Sequence, residues 1–147
     1  MPALAFCGLE ISAQMQRYTI TNPAIIGQHI RKRRIELNLK QSDIATMFDV
    51  CEDSITAWEN GRYDPQVAQY PKIIAFLEYS PFQIDDSTLG GRIKKYRFQN
   101  GLSREKFADM IGVDQTSVLA WEANGRKPIK GKMKLLEKIL NQKELSE

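Results

Sequence analysis

A chain of 147 residues, 42% of them apolar, has room for one ordinary domain or two very small ones around a packed core. Its net charge of +3 permits a polyanionic partner without requiring one, no apolar run reaches the length of a membrane span, and the opening MPALAFCGLEIS lacks the basic start and cleavage pattern of an export signal. Cys7 and Cys51 form no Cys-x-x-Cys pair, His29 is the single histidine, and no phosphate loop, nucleophile elbow or zinc-protease motif occurs, which excludes a disulfide framework, a metal site and the commoner catalytic devices.

On these grounds the chain is expected to be cytoplasmic and not an enzyme, with no cofactor, no metal, no membrane attachment and no small-molecule ligand. Residues 1–25 have no clear period and contain Met15, a second candidate start; this stretch reads as a mobile or loosely packed tail. Residues 26–78 form the first structural unit. IGQHIRKRRIEL sets Ile26, Ile30 and Leu37 on one helical stripe with the run RKRR on a solvated face, where His29 is expected to be an exposed polar residue. Asn38 stands where a left-handed residue ends that helix. QSDIATMF is a second, short helix with Ile44, Ala45 and Phe48 inward; Asp49-Val50 is a turn; EDSITAWE is a third helix that buries Ile55 and Trp58 and stops at Asn-Gly. A fourth helix follows around YPKIIAFLEY, with Pro71 in its first turn.

YSPFQIDDS lies in a linker, residues 79–88, and residues 89–147 then repeat the unit. Shifted by 63, residues 27–59 and 90–122 agree at 12 of 33 positions, where chance would give about two. Ile35 faces Phe98, Ile44 faces Phe107, Phe48 faces Ile111 and Ile55 faces Val118, all core exchanges. Gly101 replaces Asn38, Ser103 is a candidate N-cap, and Trp121 replaces Trp58. After Trp121 the second copy gains a residue, so Asn60, Gly61 and Arg62 are set against Asn124, Gly125 and Arg126, with register restored at Pro65 and Pro128. A last helix covers GKMKLLEKIL.

A helix, a short helix, a three-residue turn and a helix ending in Trp-Glu ahead of Asn-Gly-Arg resembles the phage repressor and Cro family, over residues 26–78 and 89–141. The resemblance implies an all-α fold of two tandem lambda-repressor-like helix-turn-helix bundles, of bacterial or phage type, acting on double-stranded DNA and hence nucleoid-associated. It implies that the third helix of each unit enters the major groove. Carried over position by position, Cys51, Glu52, Asp53, Thr56 and Ala57 would face bases from the first unit, and Asp114, Gln115, Thr116, Leu119 and Ala120 from the second. Phosphates would meet Gln41, Asn60 and Arg62, and Arg104, Asn124, Arg126 and Lys127. Arg34 with Glu59, and Arg97 with Glu122, would form partly buried ion pairs. Glu52 and Asp53 are the departure: two carboxylates near a polyanion either accept from cytosine N4 groups, oppose binding, or serve only the positive end of their helix. The alternative function is therefore an antitoxin-like regulator or adaptor that holds a protein partner, or a second copy of itself, through the acidic first unit.

Overall fold

Wherever the sequence carries an apolar period of 3.6 residues the chain is helical. The computed structural model describes residues 18–144; the tail to residue 17, with Cys7 and Met15, lies outside the described residues, as do residues 145–147. In order the helices are α1 (Ile26–Glu36), α2 (Gln41–Phe48), α3 (Glu52–Glu59), α4 (Tyr70–Leu77) after a 3-10 turn (Val67–Gln69), α5 (Leu89–Asn100), α6 (Arg104–Ile111), α7 (Gln115–Glu122) and α8 (Lys130–Glu144). The described residues contain no strand. Their contacts divide them into two compact units, one built up to Gln66 and from Lys72 to Phe82, the other from Val67 to Pro71 and from Gln83 onward.

In the first unit Ile30, Ile44, Phe48, Ile55, Trp58 and Ile73 are buried and make up the core. Phe48 anchors it, with the Phe76 ring edge-on at 5.6 Å and Trp58 at 6.5 Å. The second unit repeats the arrangement with Ile93, Phe107, Ile111, Val118, Trp121 and Leu136. Fully burying each side chain of this size contributes about 1.5–3 kcal/mol, so these few positions hold each unit together.

The turns repeat as faithfully as the cores. Asn38 and Gly101 are left-handed at φ 56° and 65°, Asp49 and Gly112 at 57° and 72°, and Gly61 and Asn124 at 70° and 58°. Each pair is separated by 63, and each places glycine in one copy and Asn or Asp, the residues that best tolerate this conformation, in the other. The third pair corrects the expected register. The N–H of Arg62 reaches the carbonyl of Ala57, and that of Gly125 reaches Ala120, so Asn60 is equivalent to Ala123 and Gly61 to Asn124. The second copy therefore gains no residue here, and the shift of 63 runs unbroken through Arg62 and Gly125 to Pro65 and Pro128.

Ser103 caps α6, its hydroxyl accepting from the N–H of Lys106 at 3.1 Å, and Thr88 caps α5 by accepting from Gly91 at 3.0 Å. Two expectations for α1 fail. Leu37 is 44% exposed, because the helix ends there and the left-handed Asn38 turns the chain away before the stripe is complete. His29 is buried rather than exposed. Its Nε2–H donates to the carbonyl of Pro23 at 2.8 Å, and Nδ1 pairs with the hydroxyl of Tyr79 at 2.7 Å. With both nitrogens satisfied, burial carries no orphan cost.

Candidate nucleic-acid interface

Each third helix is held by a carboxylate that the helix itself carries. Glu59 lies on the last turn of α3 with its side chain 1% exposed, and Arg34 of α1 grips it with two parallel bonds, Nε to Oε1 at 2.7 Å and a terminal nitrogen to Oε2 at 2.9 Å. A third donor of the same guanidinium goes to the carbonyl of Leu39 at 3.0 Å. Arg97 repeats the grip on Glu122 and on the carbonyl of Leu102. This second pair is fully rather than partly buried, at 3% and 5%. Such a bidentate bond fixes angle as well as distance, so α3 and α7 cannot roll on their scaffolds.

The two locks differ in one partner. In the first unit Gln41 completes the network: its amide nitrogen donates to Glu59 at 2.9 Å and its oxygen accepts from Thr56 at 3.1 Å. In the second, Arg104 takes that place and donates through Nε to Glu122 at 2.9 Å, with a side chain 45% exposed. One Glu between two Arg leaves an excess positive charge, where Arg, Glu and Gln leave none. Gln41 and Arg104, expected at phosphates, are thus also parts of the locks, standing at the start of α2 and α6. Arg104 keeps four of its five N–H donors beyond this bond.

On the outer face of α7, Gln115, Thr116 and Leu119 are exposed, with Asp114 just before them and Ala120 half-buried, while Val118 and Trp121 point inward. Asp114 is the N-cap residue, yet its carboxylate makes no capping bond. On α3 the corresponding face shows Cys51, Glu52 and Asp53 exposed and Thr56 half-buried. Ala57 is the exception: it is 6% exposed, so that position offers no surface for a base. The Cys51 thiol lies 3.1 Å from the Ser54 hydroxyl, and hydrogen bonding from Ser54 holds it below its ordinary pKa. Asn60, Arg62, Asn124, Arg126 and Lys127 are all exposed beyond the ends of the two helices. The corrected register sets Asn60 and Asn124 one residue apart relative to the ends of their helices.

The RKRR run is not one solvated face. Arg33 pairs with Glu78 at 3.0 Å, Arg34 with Glu59, and Arg31 lies with its guanidinium carbon 5.0 Å from the centre of the Tyr18 ring. Sequence reading also missed Lys72 and Lys132. Their ammonium groups donate to the carbonyls of Phe48 and Ile111 at 3.1 and 2.7 Å, at the C-terminal ends of α2 and α6. These lysines are 60 apart rather than 63, which hid them from the comparison by a fixed shift.

Among the described residues no three His, Cys, Asp or Glu side chains converge as a metal set would, and no helix is long and apolar enough to cross a membrane. A helix-turn-helix family profile matches residues 30–84 and again residues 93–147. No curated protein and no solved structure matches the chain significantly.

Proposed function

Because this chain belongs to the helix-turn-helix family of DNA-binding regulatory domains, we propose that it is a sequence-specific transcriptional regulator that reads the major groove with α3 and α7 and catalyses no reaction. The observation that carries this is α7: an exposed ridge of Gln115, Thr116 and Leu119 on a helix locked from behind by a buried ion pair. Gln115 suits an adenine through its N6 and N7, and the Thr116 methyl suits a thymine. Asn60, Arg62 and Arg104, with Asn124, Arg126 and Lys127, supply the phosphate contacts that set register.

With Ala57 buried, the four remaining base-facing positions of the first unit, Cys51, Glu52, Asp53 and Thr56, all differ from their counterparts Asp114, Gln115, Thr116 and Leu119. One chain therefore reads two unlike half-sites, and where the units act together on one face of the duplex these lie about 10 base pairs apart or a multiple of that. Selection from random duplexes tests both parts. A non-palindromic consensus is the expected result; a simple palindrome would assign the reading to one unit in each of two chains, and no enrichment at all would end the proposal.

A further inference from the structure

Beside α7 the second unit has an open groove of about 530 Å³ lined by Lys94, Phe98, Arg104, Gln115, Thr116 and Leu119 among others. Two of these cations, Lys94 on α5 and Arg104 on α6, stand next to the residues proposed to read bases. Lys94 rides 5.6 Å from the centre of the Phe98 ring, a contact that leaves its charge uncancelled.

The shift of 63 carries Lys94 onto Arg31 and Arg97 onto Arg34. At that place in the first unit stands Tyr18. Its ring covers the Arg31 guanidinium, and burial holds its hydroxyl above the ordinary pKa, with Arg31, Glu59 and Arg34 all near enough to be felt. Nε of Arg31 is buried and meets no acceptor among the described residues. An N–H in that condition costs free energy that an anionic oxygen would relieve, once the ring had moved.

We propose that this position is a backbone-phosphate contact, open in the second unit as Lys94 and closed in the first by Tyr18 lying on Arg31. The inference rests on the DNA-binding function above. Tyr18 acts as a local cover: the first unit adds its charge to a duplex only when the ring is displaced.

Full-length Lys94→Ala, Tyr18→Ala, Tyr18→Phe and Tyr18→Ala with Arg31→Ala are titrated with the selected duplex between 50 and 200 mM salt, each checked for folding by thermal melting. Losing one phosphate contact should reduce the slope of log affinity against log salt by about 0.9, so that Lys94→Ala loses about 3.5-fold less affinity than wild type over this range. Tyr18→Ala should steepen the slope by the same amount, Tyr18→Phe should keep the wild-type slope, and the double variant should return to it. If Lys94→Ala proves poorly folded, Lys94→Gln takes its place. A wild-type slope for Lys94→Ala, or for Tyr18→Ala, overturns the inference while leaving the DNA-binding function standing. Wild-type protein that binds no duplex at any salt would overturn both.

Discussion

Gly27 and Gly90 head the run of identities between the copies, and each stands where a helix backbone meets the end of a third helix. A methyl group added at Gly27 would lie 1.6 Å from the carbonyl oxygen of Trp58, and at Gly90 2.3 Å from that of Trp121. Alanine gains about 1 kcal/mol over glycine in a helix, but a clash with backbone forces the two helices apart, and overpacking of this kind costs about 1–3 kcal/mol and at the tightest contacts more. Gly27→Ala and Gly90→Ala should thus lower the melting temperature, Gly27→Ala by more. Gly131 in α8 has nothing within 4 Å of the same methyl, and Gly131→Ala should raise stability by up to about 1 kcal/mol. A rise in melting temperature for all three would contradict the close approach. The repeat pointed to these glycines from sequence; only the backbone separation gives the reason.

At the scale of helices, the locks decide whether a reading surface is rigid. Glu59→Ala would leave Arg34 facing a void and Gln41 without its acceptor, and Glu122→Ala would strand Arg97 at 3% exposure. Each should cost about 3–5 kcal/mol in urea unfolding, whereas Arg104→Ala, half exposed, should cost less than about 1 kcal/mol. Similar losses for all three would show that burial is not what sets the scale. Lys72→Met and Lys132→Met should each cost about 0.3–1 kcal/mol, since each removes a cation from the negative end of a helix. That the pairs Arg34–Glu59 and Arg97–Glu122 form was legible, because both partners recur at a fixed spacing in a recognisable unit. Leu37 misled because periodicity says nothing about where a helix stops, although its counterpart is the polar Asn100. His29 misled because its partners, Pro23 and Tyr79, are an irregular segment and a residue 50 positions away. The Asn60 register misled because an Asn-Gly match is a stronger signal to the eye than the backbone φ that decides which residue is left-handed.

For the molecule as a whole, charge predicts which unit should bind DNA more strongly. Residues 1–86 hold 8 Lys and Arg against 11 Asp and Glu, a net of −3, and residues 87–147 hold 13 against 7, a net of +6. Counterion release by Lys and Arg supplies most non-specific affinity, so the second unit should dominate it. The geometry pushes the same way: Arg104 adds charge at the position where Gln41 adds none, and Gln115 and Thr116 face outward where the first unit presents Glu52 and Asp53. Gln115→Ala should relax base preference and cost about 1–3 kcal/mol on the selected duplex, while Arg126→Ala should weaken binding to every sequence and flatten the salt slope by about one unit. Glu52→Gln with Asp53→Asn should leave affinity unchanged or raise it, because two exposed carboxylates are removed from beside a polyanion. Variants of the whole chain are the suitable material, since residues 67–71 cluster with the second unit and a cut between residues 86 and 87 would take them from it. Titration of these variants with specific and random duplexes at two salt concentrations reads each effect separately. Weaker binding by the Glu52→Gln, Asp53→Asn protein on the selected duplex, with random-duplex affinity unchanged, would make those acids readers of cytosine and give the first unit the larger share of specificity.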